Sequence, residues 1–215
     1  MEENFKTQRI KLFESLARRG YITNPKVLAA LKKVRREAFL PPSIRSRAYE
    51  DCPQSIGEGQ TISAPHMVAI MSNNLEVKEN DRILEIGTGS GYQAAVLAEL
   101  APEGEVYTIE RIPSLAEFAQ RNLKSEGYEN VTVVVGDGTL GLPDKAPFDR
   151  IMVTAAAPKV LESLIKQLVD GGRLLIPVGG RWHQELLAID KVSGKIKKSY
   201  LGGCIFVPLI GVEGW

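Results

Sequence analysis

One segment restricts the fold more than any other: Ile83-Leu84-Glu85-Ile86-Gly87-Thr88-Gly89-Ser90-Gly91-Tyr92, an apolar run that breaks into alternating glycines and resumes as a helix-forming stretch. Glycines at such a turn accept positive φ and let a ligand approach the backbone closely. Strand, glycine turn and helix together form the opening unit of an open α/β sheet, whose ligands bind at the carboxyl ends of the strands. The chain downstream agrees, with β-rich runs at 82–86, 106–109, 131–135, 150–153 and 174–178 and helical stretches near 92–100, 114–125 and 158–169. This alternation predicts a doubly wound, Rossmann-like α/β fold with a mostly parallel sheet covered on both faces. Ser114 with Glu117 reads as a capping box for the middle helix. The tail changes character: 186–190 and 196–201, joined at Ser193-Gly194, read as an antiparallel hairpin, and 204–208 as a further strand.

Ahead of the sheet lies an N-terminal helical cap. Phe5, Leu12, Phe13, Leu16 and Ala17 fall on one face of a helix over 4–19, and Asn24 caps a second helix that opens at Pro25 and stops before Pro41-Pro42. Lys32, Lys33, Arg35 and Arg36 flank its apolar stripe and read as a solvated face rather than a polyanion site. Residues 50–66 are rich in turn formers without sustained periodicity, which predicts a long functional loop. The expected organisation is a single domain over 1–215: cap at 1–50, substrate loop and lead-in helix at 51–75, cofactor-binding core at 76–190 and β extension at 191–215.

Bulk properties exclude several classes. A formal net charge of +1 and 25% charged residues give no electrostatic reason to expect nucleic acid or a membrane surface. Charges run throughout residues 1–20, unlike a secretory signal, and no window is long and apolar enough to span a bilayer. Cys52 and Cys204 lack metal-ligand spacing and are too few for a disulfide framework, so no metal is expected and a cytoplasmic setting is.

The ligand class follows from the acids around the glycine turn. Gly89-Ser90-Gly91-Tyr92-Gln93-Ala94 satisfies the dinucleotide pattern, but that frame starts two residues late, and Glu85 immediately before the loop would repel a pyrophosphate. S-adenosyl-L-methionine carries a sulfonium and an ammonium and no phosphate, so a carboxylate there is favourable. Glu110 ends the second strand, where a carboxylate can accept ribose hydroxyls. Asp137, with Gly136 and Gly138 beside it, ends the third and can accept from an adenine amino group. Gly87, Thr88, Gly89, Gly91 and Gly138 complete the expected cofactor cradle.

A substrate comes from resemblance. The stretch from Pro53 through Gly57-Glu58-Gly59-Gln60-Thr61-Ile62-Ser63-Ala64-Pro65-His66-Met67 resembles the signature loop of protein-L-isoaspartate O-methyltransferases. The similarity continues through the glycine turn, Gly136-Asp137-Gly138, Leu175-Ile176-Pro177-Val178-Gly179 and Phe206-Val207-Pro208-Leu209, covering nearly the whole chain. The resemblance implies methyl transfer from S-adenosyl-L-methionine to the free α-carboxylate of an isoaspartyl residue in a damaged protein, and S-adenosyl-L-homocysteine as product. Such a carboxylate, with an ordinary pKa near 4, is already ionised at pH 7 and needs no general base. By matching positions Ser63 takes the catalytic role, Ile62, Val207 and Pro208 line the substrate pocket, and His66 lies next to the cofactor. Gln184 is a weaker match. Ile210 departs from the polar residues that some members carry after the Phe-Val-Pro-Leu run. Isoaspartyl proteins and peptides are thus the expected partners, as substrates, with no nucleic acid and no membrane, and the chain itself is expected to be a monomer. The alternative is a methyltransferase acting on RNA or a small metabolite, since the cofactor fold is widely reused.

Overall fold

A computed structural model describes residues 2–215. The helix α1 (Glu2–Arg18) buries Phe13 and Leu16 completely, and α2 (Pro25–Lys33) starts as its sequence demands, with Asn24 Oδ1 accepting the Lys26 amide at 2.9 Å and Pro25 opening the first turn. α2 ends seven residues short of Leu40. Val34 is extended and 3₁₀ turns follow at Arg36–Phe39 and Pro42–Arg47. The cause is Arg36, which turns inward. It is fully buried, donates Nε to the Ala48 carbonyl at 2.9 Å and stacks 5.0 Å from the Tyr92 ring centre. The expected solvated basic face therefore loses Arg36, while Lys32, Lys33 and Arg35 pair with Glu14, Glu99 and Glu126.

The loop at 50–66 is more ordered than its composition predicts. β1 (Gln54–Gly57) and β2 (Gln60–Ile62) form a small hairpin turned by Glu58 and Gly59, both at positive φ, and α3 (Pro65–Leu75) follows directly. Then comes the main sheet: β3 (Arg82–Ile86), α4 (Tyr92–Leu100), β4 (Glu105–Glu110), α5 (Pro113–Ser125), β5 (Val131–Val135), β6 (Phe148–Val153), α6 (Glu162–Lys166), β7 (Leu168–Gly179), β8 (Gln184–Val192) and β9 (Lys195–Cys204). Its seven strands run in the order β5-β4-β3-β6-β7-β8-β9, parallel up to β7 and antiparallel beyond it.

Alternation along the strands divides the core. Ile83, Val106, Met152, Leu175 and Ala188 face the layer built with α1 to α5, and Leu84, Tyr107, Ile151, Leu174 and Ile189 face the layer that holds Leu161 and Leu164. Connections from β3 leave in opposite directions, to β4 on one side and eventually to β6 on the other, so a crevice opens above its carboxyl end.

Three local expectations are corrected. Pro113 occupies the first turn of α5 with Ile112 as its cap, so the Ser114 hydroxyl does not cap the helix but donates to Glu58 Oε1 at 3.0 Å, at the tip of the hairpin. α6 is five residues rather than twelve, because Leu168 already pairs with Phe148 as the start of β7. Residues 205–208 are not a strand of the sheet; they leave it after Cys204, and Pro208 makes a single bridge to Ala156.

Candidate active site

The glycine turn hangs from its neighbours by backbone bonds. The amides of Gly87 and Thr88 both donate to the Ile109 carbonyl, and Gly87, Gly89 and Gly91 hold φ of 98°, 54° and 88°. Thr154, the residue after β6, shares its one hydroxyl proton between the carbonyls of Ile86 and Gly87, at 2.9 and 2.7 Å, and a Cβ on Gly87 would collide with that hydroxyl oxygen. A Cβ on Gly138 would likewise collide with Ile86 Cγ2, so the β5 loop can lie against the end of β3 only with glycine there.

Above this turn lies a cavity bounded by the hairpin, the strand ends and the tail. Of the expected residues Ile62, Ser63, Gly87, Thr88, Gly89, Glu110, Gly138, Val207 and Pro208 line it. Glu110 is buried and uses both oxygens on the turn, Oε2 accepting the Gly89 amide at 2.9 Å and Oε1 the Ile112 amide at 3.1 Å. Each oxygen keeps a free lone pair, so the same carboxylate can shape the loop and accept ribose hydroxyls.

Four expected residues stand elsewhere. Gly91 packs beneath the wall against Leu123 and Ala119, where a side chain would be crowded at 3.1–3.4 Å. Glu85 is fully buried under the turn. Its Oε2 accepts the Thr108 hydroxyl at 2.5 Å, and Thr108, having a single proton, must in turn accept from Thr88 at 2.7 Å. Burial pushes the Glu85 carboxyl up to about 8 against that hydrogen bond, and the Glu110 charge adds to the rise. Its second oxygen, Oε1, is buried without a hydrogen-bond partner among the described residues. An orphaned carboxyl oxygen beneath a glycine cradle fits a cationic ligand above it.

Asp137 is outside the lining and works as an anchor. Oδ1 accepts the amide and hydroxyl of Thr139 at 2.9 and 2.7 Å, and Oδ2 accepts the Val212 amide at 2.8 Å. Burial opposes its ionisation, but the Val212 and Thr139 donors prevail and hold the carboxyl below its ordinary value. His66 also stands apart from the glycine turn. Its Nδ1 and backbone amide both meet Asp51 Oδ1, at 2.8 and 2.9 Å, so it orders the start of α3 and faces a second cavity instead.

That second cavity adjoins the first, and Thr61, Ser63, Thr154 and Val207 border both. Ser63 is thus placed at a junction, between the space above the glycine turn and a groove open to solvent. Gln184 lines neither. It is 1% exposed, accepts the Phe206 amide at 2.6 Å and donates to the carbonyls of Phe206 and Gly180, clamping the chain that carries Val207. Sequence reading missed Thr154, whose only signal is its place at a strand end level with the three acids. Ile210, marked in the sequence as a departure from the polar residues of some family members, lines the first cavity as an apolar wall. Among the described residues, no group of three or more His, Cys, Asp or Glu side chains is arranged to hold a metal ion.

A sheet of this order, with its last strands reversed and a glycine cradle beneath the switch point, is that of the Rossmann-like methyltransferases. Within that class the chain belongs to the protein-L-isoaspartate(D-aspartate) O-methyltransferase family, whose model matches residues 7–214. It is 54% identical over 214 residues to the protein-L-isoaspartate O-methyltransferase of Methanopyrus kandleri, covering 98% of this chain and 95% of that one. The enzyme of the same name from Staphylothermus marinus is also 54% identical, over 223 residues, with 100% and 99% covered. A Plasmodium falciparum structure, described as a protein-L-isoaspartate O-methyltransferase in complex with S-adenosyl-L-homocysteine, superposes with a TM-score of 0.85 at 29% identity, covering 94% and 98%. A further protein-L-isoaspartate O-methyltransferase structure gives 0.86 at 32% identity, with 96% and 67% covered.

Proposed function

We propose that the chain transfers a methyl group from S-adenosyl-L-methionine to the free α-carboxylate of L-isoaspartyl residues in damaged proteins, D-aspartyl residues being a second candidate acceptor. The observation that carries this reading is the position of Ser63, shared by the cavity over the glycine turn and the adjoining groove.

The cofactor, when bound, supplies an electrophilic methyl on a sulfonium. Gly87, Thr88, Gly89 and Gly138 would provide its floor and Glu110 an acceptor for its ribose hydroxyls, while Glu85, which keeps its proton near pH 7 in the cofactor-free protein, would give it up to balance the cationic end. The Ser63 hydroxyl donates to one oxygen of the acceptor carboxylate and points the other at the methyl. Ile62, Val207 and Pro208 exclude water, which strengthens that hydrogen bond. Because the acceptor arrives ionised, positioning and dryness do the work, and no side chain needs to remove a proton. The following backbone amide nitrogen then attacks the methyl ester carbonyl without the enzyme, methanol leaves with the amide proton, and the resulting succinimide can hydrolyse to ordinary aspartate.

Support for a protein acceptor over RNA is the groove itself, which has no Lys or Arg among its lining residues. No helix among the described residues is long and apolar enough to cross a membrane. We read the chain as a cytoplasmic monomer. Labelled methyl supplied with two peptides that differ only in an aspartyl or isoaspartyl linkage tests the function. Base-labile label on the isoaspartyl peptide alone is expected; label on RNA or on neither peptide sinks the reading.

A further inference from the structure

The groove beside Ser63 has a rim that the reaction does not require. Trp182 stands on the turn between β7 and β8 and is 88% exposed, and Ile205, just past β9, is 73% exposed. Both line the groove, as do Ser63, Met67 and Phe206. Scattered exposed apolar residues need no explanation, but a tryptophan and an isoleucine that line one groove define a patch. The rims are also fixed relative to each other. Gln184 bonds Gly180 on the tryptophan side and Phe206 on the isoleucine side, at 3.2 Å and at 3.1 and 2.6 Å. Neither an acid nor a Lys or Arg lines the groove, whose titratable lining residues are His66, His183 and Cys204, so a lysine entering it would lose water and meet no carboxylate.

We propose that Trp182 and Ile205 form a subsite for an apolar side chain flanking the isoaspartyl residue, so that the protein selects its acceptors by neighbouring sequence. This rests on the function proposed above. A polypeptide whose carboxylate reaches Ser63 must continue away from the junction, and the open groove is where it leaves. Covering an exposed tryptophan with an apolar side chain gains the burial that a charged or absent side chain cannot supply.

The test uses isoaspartyl peptides identical except for leucine, glycine, aspartate or lysine on each side of the isoaspartyl residue in turn, with the intact protein and with Trp182→Ala. For the wild type, kcat/KM is expected to favour leucine over glycine and lysine by about tenfold on one side. Trp182→Ala, which removes only an exposed side chain, is expected to reduce that preference to about twofold, with the melting temperature, cofactor affinity and activity on the glycine peptide kept. Ile205→Ser should act in the same direction. A flat preference in the wild type, or one that survives Trp182→Ala, overturns the subsite and leaves the methyltransferase reading standing. Methylation of none of the peptides overturns both.

Discussion

The backbone amide of Val212 donates to the Asp137 carboxylate at 2.8 Å, so the last residues of the chain are held by the loop that follows β5. The contact is one of several. Glu213 N–H donates to Thr139 Oγ1, the Ser163 hydroxyl to Glu213, and the Trp215 indole N–H to the Ala156 carbonyl at 3.1 Å. That same carbonyl accepts the Leu209 amide. The wall at 207–210 is therefore pinned on one side to the Asp137 loop and on the other to the loop after β6.

Gly211 permits the first of these contacts, because a Cβ there would collide with Asp137 Oδ1. Gly211→Ala is expected to weaken S-adenosyl-L-homocysteine binding by about tenfold, measured by calorimetry. Unchanged affinity would show that the tail merely rests on the loop.

Asp137→Ala removes the acceptor for three donors. Cofactor affinity should fall by at least about tenfold while turnover at saturating cofactor stays within about threefold. A mainly kcat defect would place Asp137 closer to the chemistry than this structure does.

Ser63→Ala should give the reverse pattern. Turnover is expected to fall by roughly ten- to a hundredfold, the effect of one positioning hydrogen bond, with cofactor affinity nearly unchanged. Equal losses in both would refute the assigned role.

Glu85 predicts a pH signature. Its folded-state value of about 8 lies above the ordinary 4.5, so between those values the folded protein keeps a proton that the unfolded chain releases. Its contribution to stability is full below about pH 4.5 and is lost as pH rises through 8. Glu85→Gln, which mimics the protonated acid, should therefore raise the melting temperature of the cofactor-free protein at pH 8, at about 2–4 °C per kcal/mol, and leave it unchanged near pH 4. For the wild type, binding S-adenosyl-L-methionine near pH 7 should release protons, read as a dependence of the binding heat on buffer ionisation enthalpy. An equal shift of melting temperature at both pH values would contradict the buried acid.

Much of this was legible because the main sheet obeys local rules. Apolar runs ended by glycines or acids marked β3, β4 and β5 closely, and Asn24-Pro25 marked the start of α2. The hairpin of β1 and β2 was not legible, since its strands are three or four residues long and its turn places a glutamate at positive φ, where asparagine or glycine is the usual signal. Arg36 misled because its type predicts solvent, whereas Ala48 and Tyr92 recruit it to the interior. The site divided similarly. The glycines are required by backbone geometry and were visible, but whether a carboxylate faces a cavity, as Glu110 does, or a neighbouring backbone, as at Asp137, depends on contacts made across the fold.

The walls of the first cavity come from the second hairpin strand at Gln60, the ends of β3, β4 and β6, the loop at Gly138 and the tail at Ile210. No short stretch of chain contains them, so a ligand that fills the space has affinity only for the assembled protein. Occupancy therefore acts as a fastener for the entire domain: at a concentration about a hundred times its dissociation constant, a filled site adds about 2.7 kcal/mol to the work of unfolding.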